Sequence, residues 1–175
     1  MLDLSGVDAN NKWAVLRRIK DDLILKNGLV MDDVDEHKPY GGYYRFLDSE
    51  REKFLELFYK ELDVELSGNI NPKFMIFAPG QKVSFQYHNR RSEIWRVIYG
   101  EIEAFYGDSD ELGDYKIYEL GEILNFPLGA RHKAGASSKG WAIAAEIWKH
   151  EDPSNLSDES DIVRLSDDYG RAIKC

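Results

Sequence analysis

GQKVSFQYHNRRSEIWRVIYG, Gly80 to Gly100, is the stretch on which the reading of this chain turns. Gln86, His88 and Glu93 carry side chains able to ligate a divalent metal, set among residues that alternate as in β-strands. Alternation sends Gln86 and His88 to one side and Tyr87 to the other. The turn-like Asn89-Arg90-Arg91-Ser92 then reverses the chain, so that Glu93 opens the next strand opposite them. A second stretch, GEILNFPLGARH from Gly121 to His132, adds His132 just after the turn signal Pro127-Leu128-Gly129. Two imidazoles, a carboxylate and an amide oxygen suit Zn²⁺, Fe²⁺, Mn²⁺ or Ni²⁺ better than Ca²⁺, which prefers oxygen alone. A closed β-barrel is the structure that brings such separated strand ends into one interior.

Outward from these two stretches the chain continues to read as short strands joined by turns. Phe74–Ala78, Lys82–His88, Glu93–Tyr99, Ile102–Tyr106, Lys116–Leu120, Glu122–Asn125, His132–Ala136 and Trp141–Trp148 alternate or run apolar, with Gly, Pro or Asp-Ser clusters between them. Tyr43–Leu47 is an earlier strand, introduced by a proline-glycine turn. Such density indicates an all-β sandwich or barrel rather than βαβ units. Two helices are expected beside it. Trp13, Leu16, Ile19 and Leu23 form a stripe across residues 11–26 that Gly28 can end. Ser49-Glu50-Arg51-Glu52 has the form of a capping box, followed by Phe54, Leu57, Phe58 and Leu62 on one face. Met31–His37 reads as a solvated acidic connector, and Ser67-Gly68-Asn69 as a turn. Residues 151–161, acidic and serine-rich, read as a mobile strap before Ile162-Val163-Arg164 returns to the body. The division expected is a helical arm over residues 1–37 and a barrel with its strap over residues 38–175.

At 175 residues and 43% hydrophobic content the chain can bury one sizeable core. A formal charge of −9 with no basic block argues against nucleic acid as a partner, while a small phosphorylated ligand needs only two or three local cations. No apolar run suits a membrane helix, and the opening MLDLSGVDANNK lacks the basic-then-apolar order of a signal peptide, so the cytoplasm is the expected compartment. The single cysteine, Cys175, forms no internal disulfide and no metal cluster.

The glycines, ligands and proline of the two stretches resemble the paired motifs of the cupin superfamily, G-x5-H-x-H-x4-E-x6-G and G-x5-P-x-G-x2-H-x3-N, with the spacing intact. Gln86 stands in place of the first histidine and Ala136 in place of the final asparagine. Glutamine at that position is similar to the mannose-6-phosphate isomerase branch, where glutamine, histidine, glutamate and histidine hold zinc. KPYGGYY (Lys38 to Tyr44), QYHNRRSEIW, PLGARH and SDIVRLSDDYGR (Ser160 to Arg171) further resemble the isomerase domain of the bacterial type II enzymes, so that the likeness covers Lys38 to Arg171.

The resemblance implies a cupin double-stranded β-helix, or jelly roll, with the N-terminal helix and one inserted helix added. It implies one divalent metal per chain on Gln86, His88, Glu93 and His132, zinc first and iron, manganese or nickel after it. The implied activity is aldose–ketose isomerisation of a small sugar phosphate, mannose 6-phosphate to fructose 6-phosphate or a related pair, through an enediol. Metal ligands have committed lone pairs, so the proton-transfer base must be another inward residue. Glu146, on an apolar strand beside Ala144 and Ala145, is the first choice, and burial would raise its pKa; the alternative is a structural pair with Arg90 or Lys82. Arg90, where the family has histidine, is the second catalytic candidate. Arg171, Arg91 and Lys133 are the candidates for holding the phosphoryl group, with Arg131 also available. His37 among its acids resembles metal-binding composition only superficially. A homodimer is expected by inheritance from small cupins. Two other readings stand beside the isomerase: a non-catalytic or regulatory cupin holding a sugar or nucleotide-sugar, and a metal dioxygenase.

Overall fold

A computed structural model describes residues 2–61 and 69–173. Leu62, the Ser67-Gly68 part of the expected turn and Cys175 lie outside the described residues. Helix α1 (Lys12–Ile19) runs without a break into a π-helical turn (Lys20–Leu25). Strands β1 (Met31–Asp35) and β2 (Gly41–Phe46) follow, then helix α2 (Arg51–Phe58). The remaining strands are β3 (Ile70–Phe77), β4 (Phe85–His88), β5 (Arg91–Tyr99), β6 (Ile102–Gly107), β7 (Lys116–Tyr118), β8 (Ile123–Phe126), β9 (Arg131–Ala136), β10 (Ala142–His150) and β11 (Ile162–Ser166).

The strands form two sheets, ordered β1-β2-β3-β10-β5-β8 and β11-β4-β9-β6-β7, with antiparallel pairing throughout. From β3 onward the chain passes repeatedly from one sheet to the other, which is the jelly-roll winding of a double-stranded β-helix. The expected all-β cupin fold is therefore present.

Strand alternation divides the larger sheet between two cores. Met75 and Phe77 of β3, Trp95 and Val97 of β5, and Ala142 and Ala144 of β10 face the barrel interior, where Phe126, Ala134 and Ile102 meet them. The intervening Phe74, Ile76, Ile143, Ala145 and Ile147 face outward and are covered by Leu16, Ile19, Ile24 and Phe54 from the helices. A sheet apolar on both faces needs such a second cover. Tyr59, just past α2, fastens it by donating its hydroxyl to the carbonyls of Ala145 (2.7 Å) and Ile94 (3.1 Å).

Several local expectations are corrected. Met31–His37 is no connector: residues 31–35 form β1, an acidic edge strand, and Tyr43 and Tyr44 on β2 donate their hydroxyls to Asp33 and Glu36. The α1 stripe is Val15, Leu16, Ile19, Leu23 and Ile24, with Trp13 exposed in the first turn and Ile24 brought to the buried face by the wider π turn. No capping box forms at α2, since Ser49 lies inside a 3₁₀ turn at residues 48–50 and Glu50 caps without a side-chain bond. Strand β4 begins at Phe85 rather than Lys82; residues 81–82 instead cross close over Gly135, where a Cβ would lie 2.1 Å from the Gln81 carbonyl oxygen. The strap is tied down at several points, as described below.

Gly100, the last glycine of the opening stretch, turns β5 into β6 with φ +69°, and a Cβ there would stand 2.2 Å from the Trp141 carbonyl oxygen. Both the left-handed backbone and the contact exclude a side chain. Gly100→Ala is expected to cost about 2–4 kcal/mol. A fall in melting temperature of about 5–12 °C would report it.

Candidate metal centre

Strand β4 ends by sending Gln86 and His88 inward, β5 opens with Glu93 inward, and β9 brings His132 into register directly opposite Gln86. All four are buried. One ligand atom each from His88, Glu93 and His132 lies within 4.8 Å of the others. Donors on one small ion with bonds of about 2.1 Å stand at most about 4.2 Å apart, so the group needs only slight closure to hold one. His88 Nε2 is 3.0 Å from Glu93 Oε1, and His132 Nε2 is 3.6 Å from Glu93 Oε2.

The protonation pattern also fits a cation. His132 Nδ1 lies 3.0 Å from the Ala130 carbonyl, an acceptor only, so Nδ1 carries the proton and Nε2 keeps its lone pair. That Nε2 is buried without a hydrogen-bond partner. Burial holds the His132 pKa down at about 4, against the opposing pull of Glu93. The ring is therefore neutral near pH 7. Burial favours a protonated Glu93, but the His88 ring and the Arg91 guanidinium beside it outweigh burial and hold the carboxyl well below its usual range. Gln86 lines the same cavity as Glu93 and accepts a 2.6 Å hydrogen bond from the buried Ser84 hydroxyl at Oε1. That carbonyl oxygen retains a second lone pair. The residues present thus fit a divalent metal.

Glu146 reaches the cavity from β10, two positions before Trp148 on the same face. Burial first, and the negative charge of Glu93 second, push its pKa up to about 8. Among the described residues its Oε2 has no hydrogen-bond partner, and Lys73 lies 3.9 Å away. Neither Arg90 nor Lys82 pairs with it: Lys82 binds Glu103. Six ionisable side chains, Lys73, His88, Arg91, Glu93, His132 and Glu146, are each less than 5% exposed. Each buried ion costs several kcal/mol, and packed apolar residues would stabilise the barrel at least as well. Such concentration of buried ionisable groups marks a functional site rather than a core.

The remaining expected residues separate. Arg171 lines the cavity, its guanidinium paired with Asp167 and close to the Tyr40 and Tyr169 rings. Arg91 also lines it, but its donors are committed to Glu93, Ser157 and the Asp158 carbonyl, with His88 Nε2 3.2 Å away and the Trp148 ring beneath. It organises the centre rather than offering a free fork. The structure does not bring Arg90 to the cavity: its guanidinium turns to the strap, donating to Asn155, the Leu156 carbonyl and Asp158. Nor does it bring Lys133 there, because Lys133 follows His132 on β9, points to the opposite face and pairs with Asp168 at 2.7 Å. Arg131 pairs with Asp110 over the Tyr87 ring, and His37 packs edge-on against Trp13.

Lys73, Tyr40, Glu159 and Arg164 also line the cavity and were not anticipated. Lys73 had a legible signal: it alternates with the inward Met75 and Phe77, but the expected strand began one residue later, at Phe74. Glu159 had none, being one acid among several in the strap.

No protein-family model matches the chain. The chain is 33% identical over 99 residues to a mannose-1-phosphate guanylyltransferase of Escherichia coli, covering 57% of this chain and 19% of that protein. It is 30% identical over 113 residues to alginate biosynthesis protein AlgA of Pseudomonas aeruginosa, covering 63% of this chain and 21% of that one. Among solved structures, a Cupin 2 conserved barrel domain protein from Salinispora arenicola superimposes with a TM-score of 0.47 at 14% identity, over 68% of this chain and 82% of that one. The chain spans about a fifth of the length of these curated relatives. It is a cupin-type barrel with a buried His-Glu-His group able to hold a metal, similar to one part of proteins named for mannose-1-phosphate guanylyl transfer and alginate biosynthesis.

Proposed function

We propose that this barrel is a metal-dependent sugar-phosphate isomerase, with mannose 6-phosphate and fructose 6-phosphate as the first pair to test. The observation that carries this reading is the cavity's inventory. It opens beside the metal-binding group, holds Glu146 with one carboxyl oxygen free of hydrogen bonds among the described residues, and is lined by five cationic side chains against three carboxylates. In a chain of net charge −9, that local surplus suits an anionic substrate. The metal, one per chain and zinc first, would be held by Gln86, His88, Glu93 and His132. Bound there, it would supply Lewis-acid polarisation of the substrate carbonyl. Glu146 in its carboxylate form would take the proton from C2 of the aldose and return it to C1, while the hydroxyl proton passes from O2 to O1. Trp95 and Trp148 would exclude water from the path.

The cavity volume is about 40 Å³, room for a few waters, so a sugar phosphate must displace part of its wall. A second reading, a barrel that binds a sugar or nucleotide-sugar without turnover, is favoured by Arg90, which replaces the family's histidine and is committed to the strap. Protein loaded in turn with Zn²⁺, Fe²⁺, Mn²⁺ and Ni²⁺ should interconvert mannose 6-phosphate and fructose 6-phosphate in a coupled assay. Ligand-dependent melting shifts with no product from any aldose phosphate would replace the isomerase by the binding barrel.

A further inference from the structure

Lys73 is a cation of the cavity enclosed by two aromatic rings and two carboxylates. It projects inward from the middle of the larger sheet with only 5% of its side chain exposed. Its ammonium group lies 4.1 Å from the centre of the Tyr43 ring and 4.4 Å from that of Trp148. Two carboxylates are near, Glu159 at 3.0 Å and Glu146 at 3.9 Å. Glu159 is the nearer and accepts a hydrogen bond from the ammonium group, so it is the counter-charge of Lys73. The partners differ in one respect that matters: 43% of the Glu159 side chain is exposed, so it can regain water by rotating outward, whereas Lys73 cannot leave its strand.

The backbone around Glu159 is fastened on both sides. Upstream, Arg91 holds Ser157 and the Asp158 carbonyl, and the Ser157 amide donates to His150 Nδ1. Downstream, Asp161 accepts from the backbone amides of Asn89 and Arg90 and from the Ser157 hydroxyl. Rotation of one side chain, with the strap held, is therefore the least costly way to enlarge the cavity beside Lys73.

We infer that Glu159 is a displaceable internal anion, occupying on Lys73 the subsite that takes the phosphoryl group of the substrate. This rests on the reading of the cavity as a sugar-phosphate site, but its test needs no turnover. Entry of a phosphoryl group exchanges one anion for another on a cation that stays buried, so Lys73 is never left without a partner. Arg164, whose Nε is buried without a hydrogen-bond partner, and Arg171 line the same cavity and supply further positive charge. A neutral sugar has no means of displacing Glu159, which makes the latch selective for anions.

The test is calorimetric titration of the full chain with inorganic phosphate at low ionic strength, followed in parallel by tryptophan fluorescence, which Trp148 reports from beside Lys73. E159Q keeps the shape and removes the competing charge at a half-exposed position, so it should fold normally and bind phosphate about tenfold more tightly than the wild type. Adding K73M to E159Q should abolish that gain, and mannose 6-phosphate should show the same order of affinities while mannose shows no gain. Unchanged phosphate affinity in a normally folded E159Q, or a gain that survives K73M, would overturn the inference. Lack of isomerase activity with the gain intact would instead count against the catalytic reading alone.

Discussion

His88→Ala will retain less than a tenth of the divalent metal held by the wild type and will still fold. Loss of partners that merely orient ligands lowers metal affinity by about 10–100-fold, and loss of a ligand exceeds that. The buried group would be reduced to Glu93, His132 and the Gln86 amide. Folding survives because Glu93 does not depend on His88 alone: it accepts from Arg91 Nε at 2.8 Å and from the Trp95 indole at 3.2 Å. Elemental analysis of protein purified without added metal measures the first outcome, and a cooperative thermal transition the second. Full metal content in the variant would place the ion elsewhere and remove the basis of the proposed chemistry.

Glu146→Gln will lower kcat by about 10²–10⁴-fold, the range ascribed to a positioned general base, while metal content stays unchanged. The same variant makes a separate prediction for metal-free protein. The folded-state pKa of Glu146 is about 8 against an ordinary 4.5, so across that interval the native protein holds a proton that the unfolded chain has released. Stability contributed by this group therefore falls as pH rises from 4.5 to 8, and below 4.5 both states are protonated and the penalty vanishes. Glutamine does not titrate. Glu146→Gln should thus melt several degrees above the wild type at pH 8 and level with it at pH 4. The negative charge of Glu93 is the second cause of the raised pKa, so neutralising Glu93 lowers it and makes the carboxylate available nearer pH 7. A pH–rate profile of the loaded enzyme should accordingly rise with an apparent pKa below 8. If kcat is unchanged in Glu146→Gln, the base is another group.

Both predictions concern residues that were visible before any fold was known, but for different reasons. His88 was legible from spacing, since strand alternation around Tyr87 and the turn at Asn89–Ser92 leave one arrangement in which His88 and Glu93 meet. Glu146 was legible as a charge in an otherwise apolar strand. Arg90 and Lys133 show what spacing leaves open, because a basic residue near a ligand in sequence can lie on the opposite face of a strand or beyond its end. Period-two geometry sends Lys133 away from the site that holds His132, and Arg90 sits in the turn, where its guanidinium reaches the strap.

The sequence by itself determined the strand-rich architecture and the alternation that turns His88, Glu93 and His132 to the inner face of their strands, because these depend on periodicity that is written locally. Only the tertiary structure decided which cations stand inside. Lys73 on β3 and Glu159 beyond β10 are 86 residues apart and meet at 3.0 Å through sheet pairing and the path of the strap. No local pattern encodes that meeting, since it depends on where two distant segments cross after the chain has closed on itself. The same crossing makes Arg91 an organiser of Glu93 and His88, and leaves Glu146 buried beside a lysine that already has a partner.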